Sequence, residues 1–335
     1  MASAKPKVTV VIPNYNHSKY LPQRIESVLN QTEEDLDILI LDDCSTDNSR
    51  AVIDEYAQKD DRIRTIYNEQ NSGSTFKQWN KGFAEARAPY IWIAESDDYA
   101  DPRFLEVLTA KLDANPKIGI VYCMSTDVDE NGNLNHINHR LGFRRTDPQL
   151  WEQDFVMPGL TLVQRYMPLM CVIPNASAAV LRRSVSDQVG PADATMKLSG
   201  DWWFWSCMLA ITNVAFVAEP LNYFRQHTNN VRSATLVSGV AFAEEAKMMV
   251  KLKRFNPDPA LYKIKVNGLL PKWFYGMVNY RIPLQRNYEI YHNLAQVYPG
   301  FARKFVREFS KFLFSNKLSG IRQFVGDKML AKISR

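Results

Sequence analysis

Three groups of carboxylates stand where a chain could do chemistry. Asp42-Asp43-Cys44-Ser45-Thr46-Asp47 follows an apolar run directly. A carboxylate placed there can accept a hydrogen bond from the N–H of a planar ring such as uracil N3, and Asp43 is the candidate. Asp47 equally suits the N-cap of a helix starting near Ser49. Glu95-Ser96-Asp97-Asp98 closes another apolar run. Three acids within four residues repel one another unless a cation or solvent intervenes. Mg²⁺ and Mn²⁺ favour oxygen ligands and bind through one or two carboxylates plus substrate phosphates. The alternative is a solvated acidic turn leading into Asp101-Pro102. Asp201 precedes Trp202, Trp203 and Trp205, a setting that would partly desolvate a carboxylate and raise its pKa toward that of a general base. It would also serve as a helix N-cap.

The elements that must position these acids are legible as alternating patterns. Lys7 to Ile12, Leu36 to Leu41, Ile63 to Tyr67 and Tyr90 to Ala94 read as strands. Ser18 to Gln31, Ser49 to Gln58 and Thr75 to Ala86 read as helices. Such alternation predicts a mostly parallel sheet with helices on both faces, in which ligands sit beyond the carboxyl ends of the strands. The polar clusters at Pro13–Asn16, Asp42–Asp47 and Glu95–Asp98 all fall at such ends. Further on, helices are expected over Phe104 to Leu112, Leu160 to Met170, near Val185 and over Trp202 to Ile211. Strands are expected over Gly119 to Met124 and Ala176 to Leu181. Asp127 to Trp151 is polar and loop-rich, and Ser238 onward reads as helical and basic.

The 335 residues carry 41 Lys or Arg, 36 Asp or Glu, 46% hydrophobic residues and four scattered cysteines. Without a CxxC pair, a zinc or redox motif is not expected, and the cysteines read as reduced thiols of a cytosolic protein. No apolar run approaches the roughly 20 residues of a membrane span, and the first residues do not read as a secretory signal. The charge is split. Residues 240–335 hold 18 basic and 6 acidic side chains, a net of +12, and the remainder carries −7. From Phe301 onward, apolar residues at helical spacing (Phe301, Phe305, Phe309, Phe312) alternate with Arg303, Lys304, Arg307 and Lys311. Such a face suits either an anionic membrane surface or packing on the rest of the protein. Nothing in the sequence marks a nucleic-acid-binding motif.

Taken in order, these segments resemble family 2 glycosyltransferases. The resemblance rests on Val8-Thr-Val-Val-Ile-Pro-Asn-Tyr-Asn16, Ser27-Val-Leu-Asn-Gln-Thr32 and Ile40-Leu-Asp-Asp-Cys-Ser-Thr-Asp-Asn-Ser49. It continues through Asn71-Ser-Gly-Ser74, Tyr90-Ile-Trp-Ile-Ala-Glu-Ser-Asp-Asp98, Gly200-Asp201 and Glu219-Pro-Leu-Asn-Tyr-Phe-Arg-Gln-His227. It implies a GT-A fold, an α/β Rossmann-like mostly parallel sheet, with a helical C-terminal extension. The expected catalytic domain is 1–237, with its nucleotide-sugar part over about 1–100 and its acceptor part over about 101–237; 238–335 is the basic helical region. The resemblance implies inverting transfer from a nucleotide sugar, UDP or dTDP by the reading of Asp43, to a glycan or lipid-linked saccharide in bacterial surface polysaccharide synthesis. Residue by residue, Pro13 and Tyr15 fall in the loop around the nucleobase, and Asp43 matches the acid that reads it. Asp97 and Asp98 match the acids that hold ribose and Mg²⁺ or Mn²⁺. Asp201 matches the base, and His227 a histidine near the metal or diphosphate.

The sequence departs from the family pattern at three places. Glu95 stands where Asp is commoner. Phe76-Lys-Gln-Trp-Asn80 replaces an Ala-Arg-Asn run, leaving Lys77 as the nearest cation, a point charge rather than a bidentate fork. Trp205-Ser-Cys-Met-Leu209 lacks the Arg expected one helix turn past the base. A nucleotidyltransferase would want a Gly-rich basic loop after the first strand, and Pro13-Asn-Tyr-Asn16 is none. A non-catalytic binding module would have lost the acids, and they are present. The expected setting is cytoplasmic, with peripheral contact to the inner membrane face through the basic region.

Overall fold

The apolar runs that become the strands Val8–Asn14, Leu36–Asp42 and Tyr90–Ile93 are buried throughout, because alternate residues meet helices on opposite faces of one sheet, whereas the edge strand Ile63–Tyr67 is buried only at Ile63. The computed structural model describes residues 5–135, 139–226, 235–280 and 282–314, with side chains 139–141 excepted. Strands β1 (Val8–Asn14), β2 (Leu36–Asp42), β3 (Ile63–Tyr67) and β4 (Tyr90–Ile93) run parallel, alternating with helices α1 (Leu21–Leu29), α2 (Ser49–Lys59) and α3 (Thr75–Glu85). Next come β5 (Tyr99–Ala100), α4 (Phe104–Ala114), β6 (Ile118–Val128), α5 (His139–Thr146), β7 (Phe155–Pro158), α6 (Gly159–Arg165), β8 (Ala179–Arg182), α7 (Arg183–Val189), α8 (Gly200–Ile211) and β9 (Asn213–Arg225). Among the described residues the strands form one sheet of order β3-β2-β1-β4-β8-β6-β9-β5, with β7 on β9. Of the inner strands β8 alone runs antiparallel to its neighbours.

One face of the sheet (Val8, Val10, Ile12, Ile38, Ile40, Trp92) packs on Leu21, Ile25 and Val28 of α1 and on Phe104, Leu105 and Leu108 of α4. The other face meets α3 so closely that a Cβ on Gly82 would lie 2.4 Å from a Val11 methyl. Full burial of each such aliphatic side chain contributes about 1.5–3 kcal/mol.

Two features differ from the sequence reading. β1 runs two residues further than expected and takes in Pro13, buried opposite Leu41. Pairing with β4 stops at Val11–Ile93, so the missing N–H of Pro13 leaves no ladder bond unmade. β9, thirteen residues long, is not legible as a strand because Glu219-Pro220 splits its apolar run. The sheet absorbs the interruption as a register shift opposite Cys123 and Met124.

The chain divides into two units: 1–166, 171–195 and 200–227, which carry the sheet, and 167–170, 196–199 and 228–335. In the second, α9 (Val240–Leu252), α10 (Pro259–Asn279) and α11 (Leu284–Val297) are followed by a helix over 301–314, here α12. Asp258 caps α10 by accepting from the Ala260 N–H, ahead of Pro259 in its first turn. Phe242, Val266, Leu270, Trp273, Phe274 and Leu294 form the core, against which Phe301, Phe305, Phe309 and Phe312 pack. The aromatic stripe of α12 therefore faces protein, and Arg303 and Arg307 remain exposed. Glu244, buried, accepts the backbone N–H groups of Lys197, Leu198 and Ser199 at 2.6, 2.9 and 2.8 Å. No helix among the described residues is long and apolar enough to cross a membrane.

Candidate active site

The carboxyl ends of β1, β2 and β4 bring the first two acid groups to one edge of the sheet. The loops after β1 and β2 are laced together. Asn14 donates to Asp42 Oδ1 at 2.9 Å and to Ser45 Oγ at 3.2 Å. Asn16, in the left-handed region at φ 57°, accepts from the Thr46 N–H at 2.7 Å and donates its own to Ser45 Oγ at 2.9 Å. Above this lacing Tyr15 stands 46% exposed, its ring open to a ligand.

Asp43 is buried and densely bonded. Its Oδ1 accepts from Asn68 at 2.7 Å, from the Ser72 N–H at 2.9 Å and from Gln78 at 2.8 Å; Oδ2 accepts from Ser72 Oγ at 2.8 Å. Oδ2 thus keeps the greater remaining acceptor capacity. Asp47 accepts from the Ser18 and Ser49 N–H groups, both at 2.9 Å. Those bonds outweigh its partial burial and hold its pKa below the ordinary carboxylate value. Asp47 is therefore a helix-start and loop anchor.

The acid turn after β4 is enclosed. The Asp98 N–H donates to Glu95 O at 3.2 Å, and Asp98 Oδ1 accepts the Arg225 N–H at 2.9 Å. Asp98 Oδ2 is buried and has no partner in the protein. Burial pushes Asp98 up to about 7, with Asp97 adding to the rise and Arg24 opposing it. Burial likewise pushes Glu95 up to about 8, again with Asp97 adding, while a hydrogen bond from Trp79 opposes the rise. Glu95 Oε1 accepts from Trp79 Nε1 at 2.7 Å. Asp97 is half-buried, its carbonyl held by Arg225 Nε at 2.7 Å.

An orphaned buried carboxylate oxygen beside a second carboxylate fits a hard divalent cation completed by donor phosphates. Among the described residues no group of three or more His, Cys, Asp or Glu is placed to hold a metal by itself, so the fit is of that partial kind. His227 lies outside the described residues.

Three residues not singled out from the sequence surround this turn. Arg24 is fully buried on α1. It donates Nε to Glu95 O at 2.8 Å, stacks over Trp92, and leaves both terminal nitrogens without hydrogen-bond partners. Burial draws its pKa down to about 10 against the pull of Asp98, Asp97 and Glu95. Arg225 also bonds Asp129 O and Gln23 Oε1. His17 Nδ1 lies 2.8 Å from Ser96 Oγ. Of the three, Arg24 alone carries a sequence signal, a cation on the otherwise apolar face of α1.

Asp201 lies in the first turn of α8, one residue past its start, and its Oδ1 accepts the Trp202 N–H at 2.6 Å. It is half-buried beside buried Trp202, Phe204 and Trp205. The N-terminal end of α8 presents partial positive charge to it. Lys77 is exposed on α3 and donates to Ser72 O at 3.0 Å. In the 101–237 part of the chain, Trp151 is core, donating to Tyr122 OH at 2.8 Å and stacked on Phe143. Phe155 stacks on Phe216.

Residues 9–173 match the family model Glycosyl transferase family 2. An uncharacterized glycosyltransferase of Nostoc sp. is 29% identical over 290 residues, 84% of this chain and 80% of that protein. Among solved structures, Staphylococcus aureus TarS 1–349 in complex with UDP-GlcNAc gives a TM-score of 0.65 at 17% identity, covering 97% of this chain and 92% of that one. The mannosyltransferase PcManGT from Pyrobaculum calidifontis, in complex with GDP-Man and Mn²⁺, gives 0.53 at 12% identity, covering 99% and 87%. At these identities the structural likeness is one of fold.

Proposed function

This chain belongs to glycosyltransferase family 2 and has the GT-A fold, and on that premise we propose that it transfers a sugar, with inversion, from a nucleotide-sugar donor to a hydroxyl of a glycan or lipid-linked saccharide in surface polysaccharide synthesis. The observation that carries the reading is the acid turn. Asp98 Oδ1 is pinned by Arg225, while Oδ2 is buried and unpartnered beside Asp97.

Tyr15 and Asp43 take the nucleobase, the ring by stacking and the carboxylate by accepting an N–H at Oδ2; Pro13 sets the strand end from which Tyr15 projects. Asp97 and Asp98 orient the ribose and hold Mg²⁺ or Mn²⁺. The bound cation supplies neutralisation of charge on the departing diphosphate. Lys77 and His227 add positive charge or hydrogen bonding there. Asp201 removes the acceptor proton, so that the acceptor oxygen attacks from the face opposite the nucleotide in a single displacement. Asp43 favours UDP or dTDP. The exposed Arg303 and Arg307 of α12, within a region of net charge +12, present cations to an anionic membrane surface.

Calorimetric titration with UDP-, dTDP- and GDP-sugars in the presence of Mn²⁺ tests the donor. The expected result is saturable binding of a UDP- or dTDP-sugar that EDTA abolishes. Binding of none of the three would overturn the reading, and tight binding of a GDP-sugar alone would overturn the role given to Asp43.

A further inference from the structure

The three departures from the family pattern are far apart in sequence and meet in space. Trp79 on α3 is 3% exposed. Its Nε1 donates to Glu95 Oε1 at 2.7 Å, so one edge of the indole holds the first acid of the turn. Its ring lies 5.6 Å from that of Trp205 and 6.5 Å from that of Phe204, both on α8. One turn earlier on α3, Phe76 stacks edge-on to Trp79 at 5.3 Å. Phe76 also sits against Gly200, the residue before Asp201, where an added Cβ would fall 2.6 Å from its ring.

Buried aromatic clusters of this kind have defined ring geometries and deform little. A packed core therefore transmits the placement of one helix to the next. Glu95, fixed at one end by Trp79, is fixed at the other by its own backbone: its carbonyl accepts from Arg24 and from the Asp98 N–H, and its N–H donates to Ser177 Oγ at 3.1 Å.

We propose that Trp79 is the positioning residue that sets the acid turn against the helix carrying Asp201. Its N–H fixes Glu95 and hence Asp97 and Asp98; its ring fixes the start of α8 through Trp205 and Phe204. Such a bracket matters because a reacting group displaced by about 1 Å can cost two orders of magnitude in rate. The inference deepens the proposed function and rests on it for the roles of Asp98 and Asp201.

The two halves of the bracket separate by substitution in the full chain. Trp79→Phe keeps a ring and removes the N–H. Trp205→Leu removes the partner ring and leaves Glu95 bonded. Two readouts follow: the affinity for Mn²⁺ alone, by electron paramagnetic resonance, and amide hydrogen exchange at residues 200–205. Trp79→Phe should weaken Mn²⁺ about tenfold and leave the exchange as in the wild type. Trp205→Leu should accelerate exchange at residues 200–205 at least tenfold and leave Mn²⁺ affinity within twofold. Trp79→Leu should do both. A general loss of structure would move exchange throughout the sheet. Trp79→Phe with wild-type Mn²⁺ affinity, or Trp79→Leu with wild-type exchange at 200–205, overturns the proposal. If the wild type binds no Mn²⁺, the metal role of the proposed function fails instead, and the exchange comparison alone decides on Trp79.

Discussion

The backbone N–H of Arg225 reaches Asp98 Oδ1 at 2.9 Å across 127 positions of sequence. The end of β9 thereby closes over the acid turn, and one carboxylate oxygen is spent on structure while the other stays available. Asp98→Ala removes the available oxygen and frees one backbone donor, a loss of about 1–3 kcal/mol in stability that the folded sheet tolerates. Divalent-dependent donor binding should disappear while the circular dichroism spectrum is unchanged. Full turnover in excess chelator would contradict the account.

A second prediction concerns pH. Burial holds Asp98 up at about 7 and Glu95 at about 8, with Asp97 adding to both. In the unfolded chain such carboxyls titrate near ~4. Between those values the folded chain binds more protons than the unfolded one, so the contribution of these groups falls as pH rises. A divalent cation competes with the same protons. Mn²⁺ should therefore raise the melting temperature more at pH 8 than at pH 6, measured against EDTA controls. The reverse order would mean that the acids do not share a site with the cation.

Asp43 offers a test of base reading. Asp43→Ala strands the donors of Asn68, Ser72 and Gln78, of which Gln78 is buried. A stability loss of about 3 kcal/mol is expected from unsatisfied buried groups, read by denaturant unfolding. Asp43→Asn keeps the shape and should lose uridine preference with a smaller stability change. Unaltered nucleotide preference in Asp43→Asn would remove this residue from the base-reading role.

The basic region is tested by charge rather than by truncation, since deleting residues 301–335 would also strip Phe301, Phe305 and Phe309 from the core of the second unit. Replacing Arg303 and Arg307 with Glu should reduce sedimentation with anionic vesicles, and added salt should reduce it in the wild type. Equal binding to anionic and neutral vesicles would leave the cations merely solvated.

What the sequence made legible was whatever local pattern encodes. The runs ending at Ile12, Leu41 and Ala94 announced strands because β-branched residues stop abruptly at turn-forming or polar ones, and the acids just beyond the second and third fell where a parallel sheet binds ligands. The order of β8, β6 and β9 was not legible. β9 hides behind Glu219-Pro220, and β5 is two residues held by Tyr99–Tyr223 stacking at 4.4 Å. The groups around the acids were hidden for a different reason. The side chains of Arg24, Arg225 and Trp79 act over separations of 71, 128 and 16 residues, and no periodicity records where a long side chain will end. Asp201, expected beside tryptophans that would desolvate it, is half-buried in the first turn of α8.

The most direct test of the central claim is Asp201→Asn assayed in parallel for donor binding and for turnover. The amide keeps the shape of the side chain and cannot take the acceptor proton. Calorimetric donor affinity should stay within about threefold of the wild type, while nucleoside diphosphate release in the presence of acceptor should fall by at least about a hundredfold, the lower range of general-base contributions. A variant that loses donor affinity while keeping its rate constant would make Asp201 a binding residue and contradict the single-displacement mechanism.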